Sequence, residues 1–281
     1  MPPEYHVLLA EDNPVNQEVG RAMLETLGCN VDVVDNGLEA LRMVTSNRYN
    51  LVFMDCQMPR MGGLEATARI RDAESGKSRR TPVIALTAYV MDDEIAECRA
   101  AGMDDYLGKP FSLKDLSEIL NRWAGSTIPA NSGGDNGCSA ILPENRVDAS
   151  VNAAGNSLMV SLESACLDPR ALDNLRATFG ARAGEMTRMV INIYMKDSPA
   201  LLTELRGALS AGDRETMHRA VHTLKSSSAN LGAGFLAESC KKLENRIKEG
   251  SLVDCETMIE DITAQHRQVL QALQEIIDRG I

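Results

Sequence analysis

Residues 51–59 read Leu-Val-Phe-Met-Asp-Cys-Gln-Met-Pro, a short apolar run that ends on an acid, Asp55. The same kind of run recurs on both sides of it, at His6–Ala10, Val31–Val34, Val83–Leu86 and Tyr106–Leu107. Between the runs lie segments of helical period near 15–27, 37–45, 64–72, 92–101 and 112–122. Strand alternating with helix five times predicts an α/β doubly wound, five-stranded parallel sheet over residues 1–123, with helices on both faces. In such sheets chemistry collects at the carboxyl ends of the strands. Asp55 sits at one of those ends. Glu11 and Asp12 follow the first run, Thr87 the fourth, and Lys109-Pro110 the fifth.

The whole chain has 281 residues, which suits two domains of roughly 100–200 residues. Aromatic residues make up only 4%, so the cores must be built from Leu, Val, Ile, Met and Ala. There are 13 Lys/Arg against 20 Asp/Glu up to residue 124, and 16 against 20 beyond it. Neither half has the basic surplus that binding a phosphate backbone needs, so nucleic acid is not expected as a partner. Seven scattered cysteines without a CxxC pair argue against a disulfide framework or a zinc site. They point instead to a reducing, cytoplasmic compartment. No apolar run approaches the ~18 residues of a membrane span, and Met1-Pro-Pro-Glu is not a signal peptide.

Residues 124–166 change character. Ser126–Gly137 is rich in Ser, Asn and Gly, and Ala149–Ser157 in Ala, Asn and Ser, which predicts a flexible linker. Leu158–Leu162 could dock, at a place the sequence does not name. From Asp168-Pro169, an N-cap followed by Pro at the first helical position, helical patterns run near 169–178, 182–210, 213–231, 233–249 and 252–278, punctuated by glycines. Residues 167–281 therefore predict an all-α, four-helix-type bundle.

The acids at the strand ends carry a coherent chemistry. Carboxylates that converge without partners raise one another's pKa. A hard divalent cation with oxygen ligands, Mg²⁺, resolves the repulsion and can hold phosphoryl oxygens while a carboxylate attacks phosphorus. The Thr87 hydroxyl and the Lys109 ammonium suit the remaining phosphoryl oxygens. The motifs Ala-Glu-Asp-Asn-Pro-Val-Asn at 10–16, Met-Asp-Cys-Gln-Met-Pro at 54–59, Leu-Thr-Ala at 86–88 and Asp-Tyr-Leu-Gly-Lys-Pro-Phe at 105–111 resemble a two-component receiver domain. The resemblance implies that Asp55 is the phosphoacceptor and that Glu11, Asp12, Asp55 and the Gln57 carbonyl hold Mg²⁺. It also implies that Thr87 and Tyr106 form a switch pair, and that the Lys109–Pro110 bond is cis. Glu rather than Asp at position 11 lengthens one metal arm without changing its charge. The resemblance further implies that Gln57 and Tyr89, two residues beyond Asp55 and Thr87, admit or exclude the water that hydrolyses the acyl phosphate.

In the second half, Met217, Val221, Leu224, Ser228 and Leu231 form a core-facing stripe. His222 lies about 100° from Val221 and is expected at the edge of the exposed side, with Lys225 and Ser226 on its own face. A phosphohistidine needs a neutral imidazole, a nearby cation and room for a partner. Lys225 supplies the cation, and Ser226, Ala229 and Gly232 are small enough for close approach. His222-Thr-Leu-Lys-Ser-Ser-Ser-Ala-Asn-Leu-Gly-Ala resembles the histidine phosphotransfer (HPt) signature, with Ser226 where Gly is frequent. His218 and His266, with no Lys three residues on, read as solvated or core residues. A metal site from His218 and His222 lacks a third ligand on the helix.

The combination resembles the C-terminal part of hybrid sensor kinases. Nothing in the sequence resembles an ATP-binding kinase module, so the chain reads as a phosphoacceptor and phosphotransfer protein rather than a kinase. The implied partners are a sensor histidine kinase upstream and the receiver of a response regulator downstream. The rival reading is a phosphorylation-switched binding module in which His222 is a phosphate sink. A DNA-binding regulator is disfavoured by the acidic second half. Whether Asp55 and His222 of one chain serve each other stays open at this level.

Overall fold

The alternating apolar runs become the strands of one sheet. In the computed structural model they are β1 (Tyr5–Ala10), β2 (Cys29–Val34), β3 (Leu51–Asp55), β4 (Val83–Thr87) and β5 (Asp105–Gly108). The structure describes residues 5–87, 92–123, 166–179, 183–250 and 252–280. The expected linker falls almost wholly outside these residues, as do Leu158–Leu162 and Tyr89. All strand pairs are parallel, in the order β2-β1-β3-β4-β5. Every residue of β3 and β4 is buried, because central strands of a parallel sheet are covered on both faces.

The covering helices are α1 (Pro14–Thr26), α2 (Gly37–Ser46), α3 (Gly63–Glu74), α4 (Asp92–Ala100) and α5 (Leu113–Trp123). Alternation splits β3 between two cores. Leu51 and Phe53 face the side that also holds α1 and α5, whereas Val52 and Met54 face Ala40, Ala66, Ile70 and Cys98 of the opposite helices. The start of α1 is fixed locally: Asn13 Oδ1 accepts from Val15 N at 2.9 Å, and Pro14 occupies the first turn, where its missing N–H costs nothing.

The register positions the chemistry. Ala10 lies beside Met54, so Glu11 and Asp12 emerge next to Asp55. Asp55 lies beside Leu86, one residue before Thr87, and Thr87 lies beside Gly108, one residue before Lys109. The Lys109–Pro110 bond is cis. The crossover reversal between β1 and β3 makes this edge the switch point of the sheet.

The second unit holds α6 (Pro169–Phe179), α7 (Ala183–Ala211), α8 (Arg214–Asn230), α9 (Gly234–Lys248) and α10 (Cys255–Asp278). Asp213 caps α8, accepting from Thr216 N at 3.1 Å. The bundle packs against the sheet domain through α1, which touches α6, α7 and α8. Val15, Val19 and Met23 of α1 belong to one apolar cluster with Leu172, Tyr194 and Leu224 of the bundle. Gly232 corrects one expectation. A Cβ there would lie 2.7 Å from Ala171 Cβ and 2.8 Å from Asp168 O, so its small size admits α6 of its own bundle rather than another protein.

Gly63 stands where the Asp55 loop turns into α3, and a Cβ on it would come within 2.1 Å of the Asp55 carbonyl oxygen. Because the obstacle is backbone, Gly63→Ala is expected to cost about 1–3 kcal/mol. Thermal unfolding should show a lowered midpoint; an unchanged midpoint contradicts this packing.

Candidate functional site

At the sheet edge, Lys109 Nζ donates to Glu11 Oε2 and to Asp55 Oδ2, each at 2.6 Å. Gln57 N donates to Asp55 Oδ1 at 3.2 Å. Carboxylate oxygens of Glu11, Asp12 and Asp55 all lie within 4.8 Å of one another. Three carboxylates thus face one ammonium, a formal surplus of two negative charges. Burial pushes Asp12 up to about 7, and repulsion from Glu11 adds to the shift. Burial likewise pushes Asp55 up to about 8, with Lys109 pulling the other way and Glu11 raising it. For Lys109 burial opposes the charge, but Asp55 and Glu11 outweigh it and hold the ammonium above its ordinary range. A hard divalent cation fits this donor set: all ligands are oxygens, and its charge matches the surplus. Thr87 Oγ1 donates to Glu94 Oε2 of α4 at 3.1 Å. Tyr106 is buried in the cluster that holds Met103 and Cys98.

The second set of residues corrects an expectation about exposure. His222 is only 6% exposed, because two surfaces that helical periodicity cannot see cover it. One is α9, from which Glu244 Oε1 accepts from His222 Nδ1 at 2.9 Å. Lys225 Nζ donates to the other oxygen of the same carboxylate. The other surface is the sheet domain: His222 lines a cavity of about 100 Å³ together with Asp55, Gln57, Thr87 and Glu94. His222 Nε2 is buried in that setting and takes no hydrogen bond, and the same is true of Gln57 Oε1.

An ionised carboxylate only accepts, so Glu244 fixes the proton on Nδ1 and leaves the lone pair on Nε2. Burial lowers the His222 pKa to about 4, with the bond to Glu244 partly offsetting it and Lys225 reinforcing it. The imidazole is therefore neutral. Burial alone would raise Glu244, but His222 and Lys225 hold it well below the usual carboxylate range. His218 stacks on His222 at 6.2 Å between ring centroids, and its Nε2 stands 3.4 Å from Glu244 Oε1. His266 lies in the bundle core, 2.7 Å from Ser198 Oγ through Nε2.

Asparagines of the sheet domain read the helix that carries His222. Asn13 Nδ2 donates to Thr223 O at 3.1 Å, Asn16 Nδ2 to Ser226 Oγ at 3.2 Å, and Asn230 Nδ2 to Asn16 Oδ1 at 2.8 Å. Asn16 Nδ2 also reaches Glu11 Oε1 at 2.8 Å, which connects the interface to the acidic cluster. Lys248 of α9 pairs with Glu94 of α4 at 3.5 Å. The hydroxyl of Ser226, where Gly is frequent, is thus a contact point between the two units. The sequence motifs contain Asn13, Asn16 and Asn230 without marking them as docking residues, and they do not include Glu244. The one available sign for Glu244 is an acid beside the apolar α9 stripe of Leu236, Cys240, Leu243 and Ile247.

Comparison with known proteins fits both halves. Residues 7–121 match the response regulator receiver domain, and residues 189–278 match the Hpt domain. The hybrid signal transduction histidine kinase G of Dictyostelium discoideum is 44% identical over 131 residues, 46% of this chain and 4% of its own length. Sensor histidine kinase GacS of Pseudomonas protegens is 31% identical over 244 residues, 86% of this chain and 24% of its own length. The chain spans a quarter or less of these relatives. A solved receiver domain of a sensor histidine kinase from Pseudomonas aeruginosa PAO1 is 45% identical, with 44% of this chain and 100% of that one covered and a TM-score of 0.41. It is described with a magnesium ion coordinated in its active-site cleft. This chain therefore joins a response regulator receiver domain to an Hpt domain. Among the described residues, no helix is long and apolar enough to cross a membrane.

The histidine geometry predicts a titration. By imidazole NMR, His222 should carry its proton on Nδ1 and stay neutral to well below its ordinary 6.5, and Glu244→Gln should lower it further. Because the folded value lies below the unfolded one, the stability this group contributes is complete above about 6.5 and is lost as pH falls toward 4. A proton on Nε2, or a midpoint near 6.5, contradicts the assignment.

Proposed function

We propose that this receiver–Hpt chain is a phosphorelay intermediate in which Asp55 accepts a phosphoryl group from a sensor histidine kinase and passes it to His222 of the same chain. His222 then supplies the receiver of a downstream response regulator. The observation that carries the reading is the unpartnered, buried Nε2 of His222 in the same cavity as the Asp55 carboxylate. In this reading residues 1–123 act as the receiver, 124–166 as the connecting segment and 167–281 as the phosphotransfer unit, in a cytoplasmic setting.

The residues divide the work. Lys109 and the Gln57 amide hold the two Asp55 oxygens, so the carboxylate is oriented before phosphorus arrives. Lys109 and the Thr87 hydroxyl cover phosphoryl oxygens as charge shifts between them. In the transfer step, the Nε2 lone pair forms a bond to phosphorus while the P–O bond to Asp55 breaks, and the electron pair leaves on the carboxylate. Glu244 stabilises the positive charge that develops on the imidazole, as a buried carboxylate does when it accepts from the other ring nitrogen. Lys225 donates to Glu244 and so steadies the carboxylate that accepts from the other ring nitrogen of His222. Tyr106 is the buried partner of Thr87 in the switch pair.

Glu11, Asp12, Asp55 and the Gln57 carbonyl would hold Mg²⁺. When bound, the ion neutralises phosphoryl oxygens and the surplus charge of the acidic cluster.

Two outcomes test this. After brief labelling by a phosphorylated kinase, label should appear on Asp55 and then on His222. His222→Gln should trap label on Asp55, and Asp55→Asn should leave His222 unlabelled. Onward transfer to a third receiver that survives His222→Gln sinks the relay and favours the switched-module rival. Separately, Mg²⁺ must displace protons from Asp12 and Asp55, whose pKa values lie at about 7 and 8. Calorimetry should therefore show proton release on binding and an affinity that weakens as pH falls through that range. A pH-independent affinity contradicts it.

A further inference from the structure

We propose that Cys56 and Cys98 form an oxidisable thiol pair, which a peroxide joins into a disulfide that ties the Asp55 loop to α4. Their sulfurs lie 3.7 Å apart although 42 positions separate the residues in sequence. A disulfide needs about 2.05 Å between sulfurs, so the two must still close on each other. The backbone of Cys56 is already fixed. Its N–H donates to Leu86 O at 3.3 Å and its carbonyl accepts from Gly63 N at 3.0 Å. Cys98 is packed on α4 in the core beside Met103 and Tyr106.

The two thiols border the chemistry. Both line the cavity that holds Asp55, Thr87, Glu94 and His222, which gives a small oxidant a place beside them. By contrast, Cys240 and Cys255 are fully buried within the bundle. The reaction balances: one thiol attacks the peroxide to give a sulfenic acid and one water, and the second thiol displaces the hydroxyl as another water. Two thiols lose two electrons and two protons, and one hydrogen peroxide becomes two waters. In a reducing compartment such a bond is transient and sensing rather than structural.

The consequence runs through α4. Glu94, one turn before Cys98, accepts from the Thr87 hydroxyl at 3.1 Å and pairs with Lys248 of the bundle at 3.5 Å. A disulfide at Cys98 pins the helix that holds Thr87 away from a phosphoryl group on Asp55. Oxidation thus slows phosphorylation of Asp55. This consequence rests on Asp55 being the phosphoacceptor, whereas formation of the bond does not.

The full chain, treated with hydrogen peroxide and digested without reduction, should yield the Cys56–Cys98 linked peptide. Dithiothreitol should remove it, and both Cys98→Ser and Cys98→Ala should prevent it. Oxidation of Cys56 only to sulfinic acid, or linkage to another cysteine, overturns the pairing. With acetyl phosphate as donor, the oxidised chain should label Asp55 several-fold more slowly than the reduced chain, and the Cys98 variants should lose that difference. Equal labelling with the linked peptide present overturns the regulatory consequence. Absence of label in both states, with the linked peptide present, instead overturns the phosphoacceptor reading and leaves the thiol pair standing.

Discussion

Three carboxylates and one ammonium share a buried edge of the sheet, and their charges do not cancel. Parallel strands in the order β2-β1-β3-β4-β5 deliver the acids from β1 and β3 and the lysine from the end of β5 to one place. Burial makes the leftover charge expensive, which shows in the raised pKa values of Asp12 and Asp55. A divalent cation relieves the cost, and so does a proton. The site is thus built to need ligands, and Lys109 and the backbone N–H of Gln57 already orient its Asp55 carboxylate.

The bundle solves the complementary problem. In the proposed relay the imidazole of His222 must be neutral and must present one nitrogen. Burial supplies the neutrality, and Glu244 supplies the tautomer. Burial alone would favour the protonated acid, but the hydrogen bond from His222 and the charge of Lys225 keep Glu244 ionised, so the three residues work as a unit. Docking through α1 then closes the gap between the two sites. Apolar contacts from Val15, Val19 and Met23 bring the units together. Asn13, Asn16 and Asn230 set the register in which the His222 face meets the Asp55 edge.

Much of this was legible in the sequence because it is local. The apolar run ending at Asp55, the acids after β1, and the Lys-Pro after β5 are one-dimensional signals, and a parallel sheet has few ways to place them. The helices of the second half were equally readable, since Gly and Asp-Pro punctuation marks their ends. Legibility stopped where two distant segments meet. Helical period placed His222 at an exposed edge, because the surfaces that bury it belong to α9 and to the sheet domain. Glu244 is invisible without knowing how α9 packs on α8. Gly232 was read as room for a partner when its φ of 79° and its contact with α6 serve the bundle itself. Cys56 and Cys98 carry no spacing motif at all.

The central claim is that Asp55 and His222 of one chain are partners. The most direct measurement is the half-time of label movement from Asp55 to His222 across a broad dilution series of the wild-type chain. Transfer within the docked chain is unimolecular, so the half-time should not change with concentration. A half-time that lengthens in proportion to dilution would show that His222 draws its phosphate from other molecules, and would contradict the account.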